Sequence, residues 1–377
     1  MRLVFLFTQQ GAGAKGTIYD QSIPSKNHFA VNEGGLKSEG YMWLLHRMKE
    51  TKVVDDVVIF IESNRYSGSS SLYGITIHVV PHISCVDSFL EPEDVIWVRG
   101  GFRSWHAWLV PKVNKHWLLL YAADTGRERW LFWNIIFADI GRKNWMDVRN
   151  RLWLEFHKPI HPTIFYPTKS EPEYDVCIGA SHIHDKKGQW KTIQAIIEYE
   201  KIYGKRLKCV LPGRSIKGVN TNQIPLVVAK HNLDVTITGM LGRKAVNEIY
   251  NKSKLFVYLG GGGQNDRGPL EALRCGTPVI IANPTRHHEV VCQHMGFSGV
   301  CVDSLDFKTV AKEMHRMLED PFGSREDVHE YFEASNGIET VCLPEMKLTF
   351  DIIRDNLKPS KRVQEKILNA HSTKGVV

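Results

Sequence analysis

Residues 260–283 read GGGGQNDRGPLEALRCGTPVIIAN: four glycines and a polar run, set between the apolar stretch KLFVYL at 254–259 and the helix-patterned PLEALRCG. Each glycine loses more backbone entropy on folding than other residues do, so a connection selected for stability alone would be shorter. The composition implies that something comes close to this backbone. KLFVYL is short, apolar and bounded by glycine, as a buried parallel strand should be. Pro269 suits the first helical position, where its missing N–H costs nothing, and Gly276 suits the position that ends the helix. The glycines therefore fall at the carboxyl end of a strand and beside a helix N-terminus. In open α/β sheets that crevice is where ligands bind, and the N–H groups with the helix dipole favour phosphate. Glu271, two residues after Pro269, is placed in the first turn, either to accept hydrogen bonds from ligand hydroxyls or to complement the dipole.

Working outward, the carboxyl-terminal half reads as an α/β series: DVCIGA, WKTIQAIIEYEKIY, RLKCVLPG, LDVTITG, AVNEIYNKSK, KLFVYL, PLEALRC, PVIIAN and GVCVD. The amino-terminal half alternates in the same way: RLVFLF, YMWLLHRMKE, DVVIFI, ITIHVV, DVIWV and HWLLLYAA. Such alternation argues for parallel α/β layering. Between the halves, HKPIHPTIFYPTKSEPEYD carries four prolines and little periodicity, as a linker does. The expected domains are 1–168, 169–345, and a helical segment and tail at 346–377 returning to the first domain. A long polar segment separates RLVFLF from its helix, and a loop of that length is normally functional. GAGAKG at 11–16 matches the G-x-G-x-x-G dinucleotide pattern, yet no helix pattern opens after it and Pro24 follows. Gly34 and Gly35, nearer the helix, are the better candidates for close ligand approach.

The chain has 377 residues, enough for two domains of about 150–200 residues each. Apolar residues make up 43% and charged residues 24%, a globular balance. No apolar run reaches the roughly 18–20 residues of a membrane span, and MRLVFLFTQQGAGAKG lacks a basic leader, so a cytoplasmic protein without a transmembrane segment is expected. Seven cysteines lie mostly in apolar runs with no CxxC pair, favouring reduced core thiols. The pairs His182/His184 and His287/His288 have no carboxylate or cysteine cluster at ligand spacing, so no metal is expected. Residues 101–158 hold ten Lys/Arg against five Asp/Glu within a net charge of +7. The same region is rich in tryptophan (Trp97, Trp105, Trp108, Trp117, Trp130, Trp133, Trp145, Trp153), which either fills a core or stacks on sugars or nucleic-acid bases.

The 260–283 stretch resembles the donor-binding signature of the retaining nucleotide-sugar glycosyltransferases of family 4, whose fold is GT-B: two Rossmann-like parallel-sheet domains facing a central cleft. DRGPLEALRCGTPVI fits the family's L-E-A-hydrophobic-x-x-G-x-P-V run. Three further segments follow the family's pattern in order. NEGGLKSEGYMWLLHRM is similar to the amino-terminal G-G loop and helix. IGASHIHDKKGQWKTIQAI is similar to the strand–loop–helix with a phosphate-binding basic residue before K-G, here Lys187-Gly188. VTITGMLGRKAVNEIYNKSKLFVYLG is similar to the turn and helix that line the nucleotide base. The resemblance is close over 172–320 and architectural before it. At two positions the pattern changes. Gly263 stands where the family has an acid, leaving Gln264 or Asp266 to contact the transferred sugar. His182 stands where an arginine is usual, which makes phosphate binding more sensitive to pH.

The resemblance implies transfer of a sugar from a nucleoside-diphosphate donor with retention. In the absence of an Asp-x-Asp motif, metal-independent catalysis without a cofactor is expected. Lys187, the helix start at Pro269 and the N–H groups of Gly34 and Gly35 would carry the leaving diphosphate's charge, and Glu271 would hold the donor ribose. Gly188, Gly213, Gly239, Gly268 and Leu270 fall on the remaining donor-contact positions. Arg243 is either a further cation or a solvated helix-end residue, and Asp124 is either the acceptor-side base or a turn cap. The acceptor expected is a glycan or glycoconjugate. The alternatives are sugar transfer to a modified nucleic-acid base, or a non-catalytic sugar-nucleotide-binding protein.

Overall fold

A computed structural model describes residues 1–7, 40–62, 67–99, 105–112, 115–122, 135–138, 152–179, 182–183, 187–215, 220–260, 267–282, 299–302, 306–321 and 323–355. The chain divides into two units, one comprising Met1–Pro159 with Ile338–Val377, the other Ile160–Gly337.

The first unit is built on strands β1 (Arg2–Phe7), β2 (Asp56–Glu62), β3 (Gly68–Leu72), β4 (Ile75–Val80), β5 (Val95–Arg99), β6 (Trp117–Ala122), β7 (Ile135–Ala138) and β8 (Leu152–Glu155). They form one sheet in the order β3-β4-β2-β1-β5-β6-β7-β8, parallel except at β3–β4. Near-continuous apolar runs such as RLVFLF and VIWVR follow from burial on both faces. Helix α1 (Gly40–Glu50) lays Tyr41, Met42, Leu44, Leu45 and Met48 on one face of the sheet. The short helix α2 (His106–Leu109) covers the other with Trp105 and Leu109. The hairpin joining β3 to β4 turns at Tyr73 and Gly74, with φ of 54° and 70°.

The carboxyl-terminal helix Leu343–Arg354 belongs to this unit. Ile338, Cys342, Met346, Phe350 and Ile353 pack among Leu3, Leu45, Met48 and Val57, and Arg354 Nη2 donates to Val53 O at 2.7 Å. The breaks therefore fall at 159/160 and 337/338, not at the expected 168/169 and 345/346.

The first shift has a clear cause. Residues 160–168 are tied to the second unit by side-chain amides of α5 (Arg243–Asn251). The Tyr166 N–H donates to Asn247 Oδ1 at 3.1 Å, the Thr168 N–H donates to Asn251 Oδ1 at 2.6 Å, and Asn251 Nδ2 donates to Tyr166 O at 2.9 Å. Ile160 and Phe165 also enter an apolar cluster with Tyr250, Phe256 and Leu270.

The second unit carries β9 (Tyr174–Ile178), β11 (Cys209–Pro212), β13 (Val235–Gly239), β14 (Ser253–Tyr258), β15 (Val279–Ala282) and β16 (Gly299–Val302). All pair in parallel, in the order β13-β11-β9-β14-β15-β16. Sequence order therefore reverses between β9 and β14, the topological switch point at whose carboxyl edge ligands bind in such sheets. The two-residue strands β10 (His182–Ile183) and β12 (Arg214–Ser215) pair just beyond the ends of β9 and β11. Helices α3 (Gln189–Tyr203) and α7 (Phe307–Glu319) cover one face together with α4 (Ile224–Lys230), and α5, α6 (Arg267–Arg274) and α8 (Arg325–Asn336) cover the other.

Candidate functional site

The site is assembled within the second unit, at the carboxyl edge beside the switch point. There the Gly179 N–H, just past β9, donates to Val257 O at 3.0 Å, and a Cβ on Gly179 would lie 2.0 Å from the Phe256 ring. Phe256 stands edge-on to Tyr250 of α5, with centroids 5.4 Å apart. Gly268 closes the stack: a Cβ there would lie 3.3 Å from Phe256 and 3.8 Å from the Tyr250 hydroxyl. Missing side chains thus let two strand ends and a helix start converge on one aromatic pair.

The tightest approach of backbone to backbone at this edge is at Gly188. Its φ is +79°, and a Cβ would fall 2.1 Å from the Leu259 carbonyl carbon and 2.4 Å from Gly260 N. Both the left-handed backbone and the lack of room require glycine. The start of α3 is consequently pressed onto the end of β14, with Lys187 immediately before it. Gly188 is the N-cap of α3 and brings no capping side chain. A helix start of this kind offers its first N–H groups and its dipole to an anion. Gln189, buried, ties the helix to β9 by donating from Nε2 to Gly179 O at 3.3 Å.

Helix α6 begins at Arg267, so Pro269 is its third residue rather than its first. The physical reason for a proline survives, because the first four N–H groups of a helix all lack an intrahelical acceptor. The helix ends as expected: Gly276 has φ +76°, the Thr277 N–H donates to Ala272 O at 2.9 Å and the Gly276 N–H to Leu273 O at 2.9 Å, a Schellman closure. Glu271 is accordingly the fifth helical residue, beyond the first turn within which dipole complementation is strongest. Pro269 and Leu270 are buried, Leu270 in the cluster with Tyr250 and Phe256, so they present backbone rather than side chain.

Glu271 is also buried, with 6% of its side chain exposed. Arg243 Nη1 donates to its Oε1 at 2.6 Å, and the Tyr250 hydroxyl faces its Oε2 at a long 3.5 Å. Arg243 and Tyr250 lie seven residues apart, two turns along one face of α5. The Arg243 guanidinium carbon also sits 5.8 Å from the centroid of Phe165 in the linker. Burial, reinforced by the negative charge of Glu271, pushes the Tyr250 hydroxyl well above the usual tyrosine range, so it stays a neutral donor. A buried carboxylate compensated in this way keeps acceptor capacity for a ligand's hydroxyl groups.

Among the residues read from sequence, Lys187, Gly188, Gly268, Glu271 and Arg243 come together around β14 and α5. Gly213 and Gly239 mark the ends of β11 and β13, with the Gly213 N–H donating to Gly239 O at 2.8 Å. The His182 backbone pairs with Arg214 in the β10–β12 ladder. Gly34, Gly35, Asp124, Gly263, Gln264 and Asp266 lie outside the described residues. Tyr250, Phe165 and Gly179 were not singled out from sequence. Of these, only Tyr250 left a signal, its spacing of seven from Arg243.

In the first unit, Trp97, Trp105 and Trp117 are core residues, and Lys112 Nζ lies 4.0 Å over the ring of partly buried Trp108. Among the described residues no group of three or more His, Cys, Asp or Glu could hold a metal ion, and no helix is long and apolar enough to cross a membrane.

Residues 163–334 match the family described as glycosyl transferases group 1. No curated protein matches the chain. Among solved structures it is similar to sucrose-phosphate synthase from Thermosynechococcus elongatus, at 14% identity and TM-score 0.65 over 94% of this chain and 100% of that one. It is similar to α,α-trehalose 6-phosphate synthase from Burkholderia multivorans, at 9% identity and TM-score 0.64 over 98% and 100%. It is also similar to HepE from Anabaena in complex with UDP, at 12% identity and TM-score 0.65 over 93% and 100%. Likenesses at these identities carry the fold alone, and the family match is confined to residues 163–334. The chain therefore has the GT-B fold, and its residues 163–334 match the glycosyl transferases of group 1.

Proposed function

We propose that this protein is a glycosyltransferase of the family 4 type, which takes a sugar from a nucleoside-diphosphate donor bound by the second unit and transfers it with retention to a glycan or glycoconjugate, without a metal. The observation that carries the proposal is the contact of Gly188 with the Leu259–Gly260 backbone. It sets Lys187 and the α3 start beside the strand end from which the glycine loop leads to Glu271. This arrangement lies inside the segment matched by the group 1 family, and HepE, similar in fold, holds UDP.

Departure of a nucleoside diphosphate builds negative charge on its terminal phosphate. Lys187 and the first N–H groups of α3 and α6 supply fixed positive potential for that charge, the preorganised stabilisation that lowers such barriers most. Glu271 accepts from the donor ribose and so positions rather than reacts. Gly213, Gly239 and His182 are assigned to the nucleotide and its phosphates. Asp266, Gln264 and Gly263 are assigned to the transferred sugar, Gly34 and Gly35 to the donor phosphate, and Asp124 to the acceptor.

The test is release of nucleoside diphosphate from a panel of UDP-, GDP- and ADP-sugars, with the anomeric configuration of the product read by NMR. Turnover of one donor, with retained configuration and loss in Lys187→Ala, is the expected result. No release from any donor, with or without added glycans, would contradict it.

A further inference from the structure

We infer that Arg243 is a positioning residue for ribose recognition: it does not touch the diphosphate but fixes Glu271 in the orientation that a ribose diol needs. The inference rests on the donor-site reading above and deepens it. An ionised carboxylate has about four acceptor sites, two on each oxygen. Among the described residues, Arg243 occupies one on Oε1 at 2.6 Å and Tyr250 faces one on Oε2 at 3.5 Å. Each oxygen thus keeps acceptor capacity, one oxygen for each of two vicinal hydroxyls.

Without Arg243, a carboxylate with 6% of its side chain exposed would face, among the described residues, only the long hydroxyl contact of Tyr250. Nothing then fixes the plane of the carboxylate, and the paired acceptor geometry is lost. Arg243 is itself held in place. It is the first residue of α5, and its guanidinium lies near Phe165, whose carbonyl accepts from Arg274 Nε of α6 at 2.8 Å. The linker thus braces the arginine that braces the glutamate.

A direct contact of Arg243 with phosphate is the competing role, and the ribose hydroxyls separate the two. Binding of UDP, GDP and ADP, each beside its 2′,3′-dideoxy counterpart, is measured by calorimetry on the full chain. Wild type is expected to prefer the ribose form of the nucleotide it binds. Arg243→Gln is expected to weaken that form tenfold or more while leaving the dideoxy form within about twofold, so the preference collapses. Arg243→Lys, which keeps the charge and protects the fold, is expected to lose part of the preference in the same selective way. Equal loss for both forms would assign Arg243 to the phosphates and overturn the inference, as would an unchanged preference in both variants. Glu271→Gln is the control for the underlying site: if it leaves the ribose preference intact, the assignment of Glu271 to the ribose fails and the inference falls with it, whereas loss of the preference in Glu271→Gln but in neither Arg243 variant overturns the role of Arg243 alone.

Discussion

Arg243 Nη1 lies 2.6 Å from Glu271 Oε1, and the two side chains are unequally buried, with 26% of the arginine exposed and 6% of the glutamate. Removing either partner is therefore not equivalent. Arg243→Ala strands a buried carboxylate, and breaking a buried pair in that way costs roughly 3 kcal/mol or somewhat more. Glu271→Gln leaves an arginine able to turn toward water and should cost about 1 kcal/mol. Urea unfolding of the two variants checks the asymmetry. Equal losses would mean that the pair is effectively solvated.

Gly188 and Gly204 bound the same helix, both in the left-handed region, with φ of +79° and +63°. A Cβ on Gly204 meets nothing within 4 Å, whereas one on Gly188 strikes the Leu259–Gly260 backbone. Gly204→Ala should cost only the conformational penalty, about 1 kcal/mol. Gly188→Ala adds a clash that only backbone movement relieves, so it should be the more destabilising by at least ~1 kcal/mol and should weaken nucleotide binding. Similar stabilities of the two variants, measured by denaturant unfolding, would show that the α3 start is not seated on β14.

Asn251 is fully buried and holds the linker at Tyr166 and Thr168. Asn251→Ala removes these part-buried bonds, each worth about 1 kcal/mol. Proteolytic cleavage between 160 and 168 should become faster in this variant. An unchanged cleavage rate would separate the linker from the second unit.

Tyr250→Phe deletes a hydroxyl whose bond to Glu271 Oε2 is long, 3.5 Å. The expected loss of stability is below about 1 kcal/mol, and nucleotide binding should fall only slightly, because Arg243 still holds the carboxylate. A binding loss as large as that of Arg243→Gln would show that the hydroxyl shares the orienting role.

The elements that frame the site were legible because their sequences are unambiguous. KLFVYL and DVCIGA are short apolar runs bounded by glycine, and WKTIQAIIEYEKIY and AVNEIYN carry helical periodicity. Strand β3 escaped notice because GSSSL has no apolar alternation; it is held by its hairpin to β4 rather than by its own side chains. The linker was divided at 168/169, with residues 160–168 counted with the first domain, because its tether consists of Asn247 and Asn251, some 80 residues away. Glu271 was recognisable from its motif. Its pairing with Arg243 was not, since contact across 28 residues between two helices is a property of packing and leaves no local pattern.

The most direct measurement is a calorimetric titration of wild type and Lys187→Ala with UDP, GDP and ADP. One nucleoside diphosphate should bind wild type, and the variant should lose about 1.5–3 kcal/mol of that binding, roughly 10- to 150-fold in affinity, as expected for a charged hydrogen bond to phosphate. Binding of none of the three, or equal binding by wild type and Lys187→Ala, would contradict the placement of a nucleotide donor at the junction of α3 and β14.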